Sequence, residues 1–172
     1  GNSRSDIDEY SILLLPFYDS NPNVPLFFSR LLQSNDPAVR MNAAVLLTRS
    51  GKPVADSIFQ KLASDDKYRG RLYSRLEKIN RTDRFPDRYR NQVDIARSLM
   101  ISSRNYEKVD SIVMLSKQPA AYNQKQGIVY FFKYRFRKDE DWKIGISGLQ
   151  PKEEKQVSSD DKLVVLTDKK IK

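Results

Sequence analysis

The chain has 172 residues, enough for one domain or for two small parts that lean on each other and bury a shared core. It contains no His and no Cys. That excludes Ser/His/Asp and Cys/His catalysis, thiolate chemistry and zinc sites of the usual N/S type, and leaves the redox compartment open. The net charge is +9, and the excess of Lys and Arg is concentrated in residues 67–104, a pointer to an anionic partner.

No stretch approaches the roughly 20 apolar residues of a membrane span. Gly1 and the polar residues after it read as a scar of tag removal, on a mature form or on an excised piece of a longer protein. With the missing cysteines, this tilts the expected address toward an extracytoplasmic bacterial protein.

Residues 5–15 are expected to form a helix closed by Pro16, unusually apolar for an end element, packed on the next helices or on an upstream repeat. A helix over 25–33 is expected to bury Leu26, Phe27 and Leu31. After SNDP a second helix opens at Pro37 under an Asn35 or Asp36 cap, carries Val39, Ala43, Leu46 and Leu47 inward, and stops at Gly51.

Asp36, Pro37, Val39, Arg40, Ala43, Ala44, Leu47 and Gly51 resemble the second helix of a HEAT repeat. A degenerate copy lies 29 residues on, with Asp65, Tyr68, Arg69, Leu72, Tyr73 and Leu76, preceded by a helix over 54–63. The resemblance covers residues 25–80 and implies a stack of helical hairpins that binds other proteins. Gly70 departs from the pattern. One more helix, 86–100, is expected to cap the stack through Tyr89, Val93, Ala96, Arg97 and Met100.

From residue 105 the periodicity changes to two. A strand is expected over 109–117. A second over 127–137 puts Ile128, Tyr130, Phe132, Tyr134 and Phe136 on one face and Val129, Phe131, Lys133, Arg135 and Arg137 on the other. After the turn KDED, Trp142, Ile144 and Ile146 are expected to continue the aromatic face, which seats the sheet on the helices. Residues 162–167 form a fourth strand or a tail. The expected fold is α+β: a HEAT-like helical stack over 1–104, then a small antiparallel sheet of three or four strands over 105–172.

The candidate site is the basic patch of Lys67, Arg71, Arg75 and Lys78, at helical spacing, continued by Arg81, Arg84 and Arg88. Guanidinium forks bind carboxylates and phosphates, so such a groove fits acidic protein groups or, alternatively, nucleic acid. The competing reading is a solvated helix face. HEAT-like DNA glycosylases resemble the chain in stack type alone.

Acidic clusters at Asp65/Asp66, Asp139/Glu140/Asp141, Glu153/Glu154 and Asp160/Asp161 lack calcium-loop spacing, and no catalytic residue, metal or cofactor is assigned. The expected function is a non-catalytic protein-interaction or structural module. Its partner would be another protein or another domain of the same longer chain.

Overall fold

The computed structural model describes residues 10–103, 109–159 and 163–171. Among them the fold is α+β: six helices, then a four-stranded antiparallel sheet. Helix α1 is described over 10–14 and tightens into a 3-10 turn at Leu15–Phe17. Helices α2 to α6 are Asn23–Leu32, Pro37–Arg49, Asp56–Ser64, Asp66–Lys78 and Gln92–Ser102, and strands β1 to β4 are Ser111–Tyr122, Lys125–Arg135, Trp142–Gln150 and Leu163–Ile171. None of these helices is long and apolar enough to cross a membrane.

The 29-residue spacing is built into the backbone. Helices α3 and α5 are each 13 residues long. At their starts Asp36 accepts from the Ala38 amide and Asp65 from the Lys67 amide, both at 2.9 Å, so each aspartate satisfies an orphan N–H of the first turn. Buried Arg40 and Arg69 then reach back to the end of the preceding hairpin arm, donating to the carbonyls of Ser34 at 2.6 Å and Ala63 at 2.7 Å. Both helices end in the same left-handed cap. Gly51 and Asn80 have positive φ, and the following amides of Lys52 and Arg81 return to the carbonyls of Leu47 and Leu76.

Two expectations about the helices are corrected. Val24 and Phe28 are the buried residues of α2; Phe27 and Leu31 pack on the core half-buried, and Leu26 is 59% exposed. Residues 82–89 form two 3-10 turns, and α6 starts at Gln92 under an Asn91 cap, because Asn91 accepts from the Asp94 amide at 2.9 Å. Gly70 has a packing reason. A Cβ there would sit 3.0 Å from Ser98 Oγ and 3.3 Å from Leu99, so glycine lets α5 and α6 cross closely, and the Gly70 amide donates to Ser98 Oγ at 2.6 Å.

The sheet is a meander in the order β1-β2-β3-β4. Strand β1 runs to Tyr122, five residues past its expected end, and turns through Asn123 and Gln124, both at positive φ as a tight hairpin turn demands. Tyr130, Phe132 and Tyr134 of β2 are buried against Ala96 and Met100 of α6. The aromatic face is core, as expected.

The register of β3 overturns the rest of that expectation. Lys133 pairs with Ile144 and Phe131 with Ile146, which puts both isoleucines on the side away from α6. Trp142 lies there too, with Lys133 Nζ 4.6 Å and the Arg135 guanidinium 4.7 Å from its ring. Gly145 and Ser147 stand opposite Phe132 and Tyr130 on the core side. The cause is the closeness of α6: a Cβ on Gly145 would lie 2.4 Å from Met100 Sδ. An isoleucine has no room there.

The segment 151–159 ties sheet to helices. Val157 is buried in the helical core. The Gln92 amide donates to the carbonyls of Pro151, Glu153 and Gln156 at 2.8 to 3.0 Å, while its oxygen accepts from the Tyr130 hydroxyl. Gln150 holds Ser158 through both main-chain groups at 2.8 Å.

Candidate functional site

On helix α5, positions 71, 75 and 78 fall at i, i+4 and i+7, so their side chains emerge along one face. That face meets the C-terminal turn of α6. Between them lies an open cleft of about 250 Å³ lined by Arg71, Ser74, Arg75, Lys78, Ser102, Ser103 and Ser159, with Gly70 and Leu99 at its floor. Gly70 makes the cleft possible by bringing the two helices together below it.

The cations are held in different ways. Arg71 is half-buried and donates to the Ser102 carbonyl at 3.2 Å, which ties it to the end of α6. Arg75 is exposed and bonds the Asn42 amide oxygen on α3. Lys78 is exposed in the last turn of α5. Ser102 and Ser103 donate to the carbonyls of Leu99 and Met100, and Ser159 donates to Glu77 at 2.7 Å. Among the described residues that line the cleft there is no carboxylate, and Glu77 stands beside it as the acceptor of Ser159. Arg71 and Arg75 bring guanidinium N–H groups to its walls, and Lys78 an ammonium.

The remaining members of the predicted patch lie elsewhere. Lys67 is in the first turn of α5, its ammonium 5.9 Å from the Tyr68 ring. Arg81 forms a two-pronged pair with Asp83 at 3.0 and 3.1 Å. That hydrogen bond raises the Arg81 pKa and lowers that of Asp83. Arg84 is structural: it donates to the Val54 carbonyl at 2.7 Å, pairs with Asp56 at 2.9 Å and covers the Phe59 ring. Arg88 stacks on Tyr89, 4.6 Å from the ring centroid. The structure thus gathers three of the seven predicted residues, and the solvated or structural reading fits the other four.

The serines of the cleft went unnoticed in the sequence. Ser74 sits on the same helical face as Arg71 and Lys78 and was legible in principle. Ser159 arrives from the sheet side, and nothing local marks it. A second, more open hollow of about 480 Å³ lies beside the β1–β2 turn, and it holds none of the predicted residues.

Three members of the acidic clusters have partners within the fold. Asp65 caps α5, Asp66 pairs with Arg69, and Glu154 pairs with Lys117 at 2.7 Å, a bond that lowers the Glu154 pKa and raises that of Lys117. Asp160 and Asp161 lie outside the described residues. Among the described residues, no three Asp or Glu side chains come together as a cation site would need. Comparison with protein-family models, with curated proteins and with solved structures finds no match.

Proposed function

We propose that this chain is a non-catalytic protein-interaction module whose α5–α6 cleft receives acidic side chains of a partner protein, or of another domain of a longer chain. One observation carries the reading: Arg71, Arg75 and Lys78 line a single open cleft. Arg71 and Arg75 are each anchored to a neighbouring helix, so part of the entropy of ordering them is already spent before a ligand arrives. The repeated cap, arginine and left-handed terminus of α3 and α5 support the HEAT-like reading of residues 25–80, a framework suited to presenting such a face.

Nucleic acid is the less favoured ligand. A duplex needs a track of several phosphate contacts, and Arg81 and Arg84, which the sequence places in that track, are occupied by Asp83, Asp56 and Val54.

The test is a titration with a fluorescent glutamate-rich peptide at about 50 mM and about 200 mM salt, with duplex DNA in parallel. Binding is expected to weaken with salt and to fall at least tenfold in Arg71→Glu with Arg75→Glu. It should fall likewise in the exposed variant Lys78→Glu, and stay unchanged in Arg81→Glu. Absence of peptide binding at the lower salt overturns the reading. Tighter binding of DNA than of peptide transfers the site to nucleic acid.

A further inference from the structure

The cations of the α5–α6 cleft form a row, and the row has a period. Residues 71, 74, 75 and 78 stand at i, i+3, i+4 and i+7 of α5, one complete stripe of a helix face. Its middle is Ser74, small and half-buried, between the three long cationic side chains. The heads of the two arginines part. Arg71 leans to the Ser102 carbonyl at the end of α6, while Arg75 leans to Asn42 on α3. Two guanidinium groups fastened to different helices call for separate acids, so the ligand that suits them carries several carboxylates and holds them apart.

The intervals of the row select the element that carries those acids. At a rise of about 1.5 Å per residue, positions 71, 75 and 78 follow one another at about 6 and 4.5 Å along the axis of α5. Acids at i, i+3, i+4 and i+7 of a second α-helix repeat these intervals in either chain direction. On an extended strand the residues of one side recur every 6.7 Å or so, and three of them overrun the row by about 3 Å.

We propose that the binding element of the partner protein is an acidic α-helix that lies along α5 and sets its carboxylates on Arg71, Arg75 and Lys78. This rests on the reading of the cleft as a site for acidic protein side chains, and gives the partner its conformation. Ser74 is the point of closest approach, because it has no bulk to hold a second backbone away. The cleft, at about 250 Å³, has room for side chains and not for a helix about 10 Å across, so the partner rests on the rim and lowers side chains into it.

Anisotropy titrations of the full chain at about 50 mM salt test it with three labelled alanine-based peptides of about 20 residues, long enough to be helical. The first has glutamates at i, i+3, i+4 and i+7. The second has the same composition with glutamates at every second position, and the third is the first with a proline in the middle of the stripe. The first peptide is expected to bind at least tenfold more tightly than either of the others. Arg75→Glu, at an exposed position and with an unchanged circular dichroism spectrum, should lose that binding. It should regain it when the two middle glutamates of the peptide are replaced by lysine. Equal binding of the three peptides, or no rescue by the lysine peptide, overturns the helical partner and leaves the acidic cleft standing; no binding by any of them removes both.

Discussion

At the scale of single residues, the glycines separate two physical demands that composition alone cannot distinguish. Gly145 is a matter of space: the sulfur of Met100 occupies the place where a Cβ would go. Gly51 is a matter of backbone: it has φ of +69° and nothing within 4 Å of its missing Cβ. We predict that Gly145→Ala destabilises by about 1–3 kcal/mol through overpacking. Gly51→Ala should cost about 1–2 kcal/mol through left-handed strain alone. Urea denaturation of both variants with Met100→Ala as background tells them apart, because removing the methionine should rescue Gly145→Ala and leave Gly51→Ala as it was. The same scale shows why the basic patch was half legible. Arg71, Arg75 and Lys78 obey helical spacing and could be grouped by counting. Arg84 and Arg88 lie in 3-10 turns whose geometry no periodicity reports, and their partners Val54, Asp56 and Tyr89 became visible through the fold.

At the scale of elements, α3 and α5 were readable because their ends are written in residue types with strong local roles. Asp36 and Asp65 start the helices, Arg40 and Arg69 fasten them, and Gly51 stops one of them. Asn80, the second left-handed stop, was missed because asparagine also serves in ordinary turns. The sheet shows the opposite case. Alternation in β3 was clear, yet period two does not say which set faces inward, and a slip of one residue exchanges the faces. The deciding fact is the nearness of α6, which only small side chains on β3 accommodate. The register carries its own test. Phe132→Ala should cost about 3–5 kcal/mol as a core truncation. Trp142→Ala, on the outer face between Lys133 and Arg135, should cost about 1 kcal/mol or less from lost cross-strand contact. Equal losses in thermal or urea unfolding would return Trp142 to the core.

At the scale of the whole molecule, helices and sheet are joined by Met100 and Ala96 against the aromatic face, by Gln92 bonded to Tyr130 and the 151–156 segment, and by Val157 in the helical core. Tyr73 and Tyr130 stand at this seam, and burial is the main cause that raises both phenol pKa values. A raised folded value means that the folded state holds these protons more tightly than the unfolded chain. Their contribution is therefore complete below the ordinary tyrosine value of about 10 and is lost as pH climbs through the raised values. The urea midpoint should fall across that alkaline window, and Tyr73→Phe with Tyr130→Phe should flatten the fall relative to wild type. An identical slope in both proteins would remove the two phenols from the cause. One feature of the sheet bears on how the molecule behaves in a crowd. Strand β1 is an edge with Val113, Met114 and Leu115 in solvent, and an exposed apolar edge is a template for further strands. It is interrupted by the register shift between Met114 and Ser116 and by Pro119, which has no N–H to offer, and it carries the charge of Lys117. Those interruptions leave the β1 edge without the unbroken row of N–H and C=O groups on which a strand of another copy would grow into a fibre.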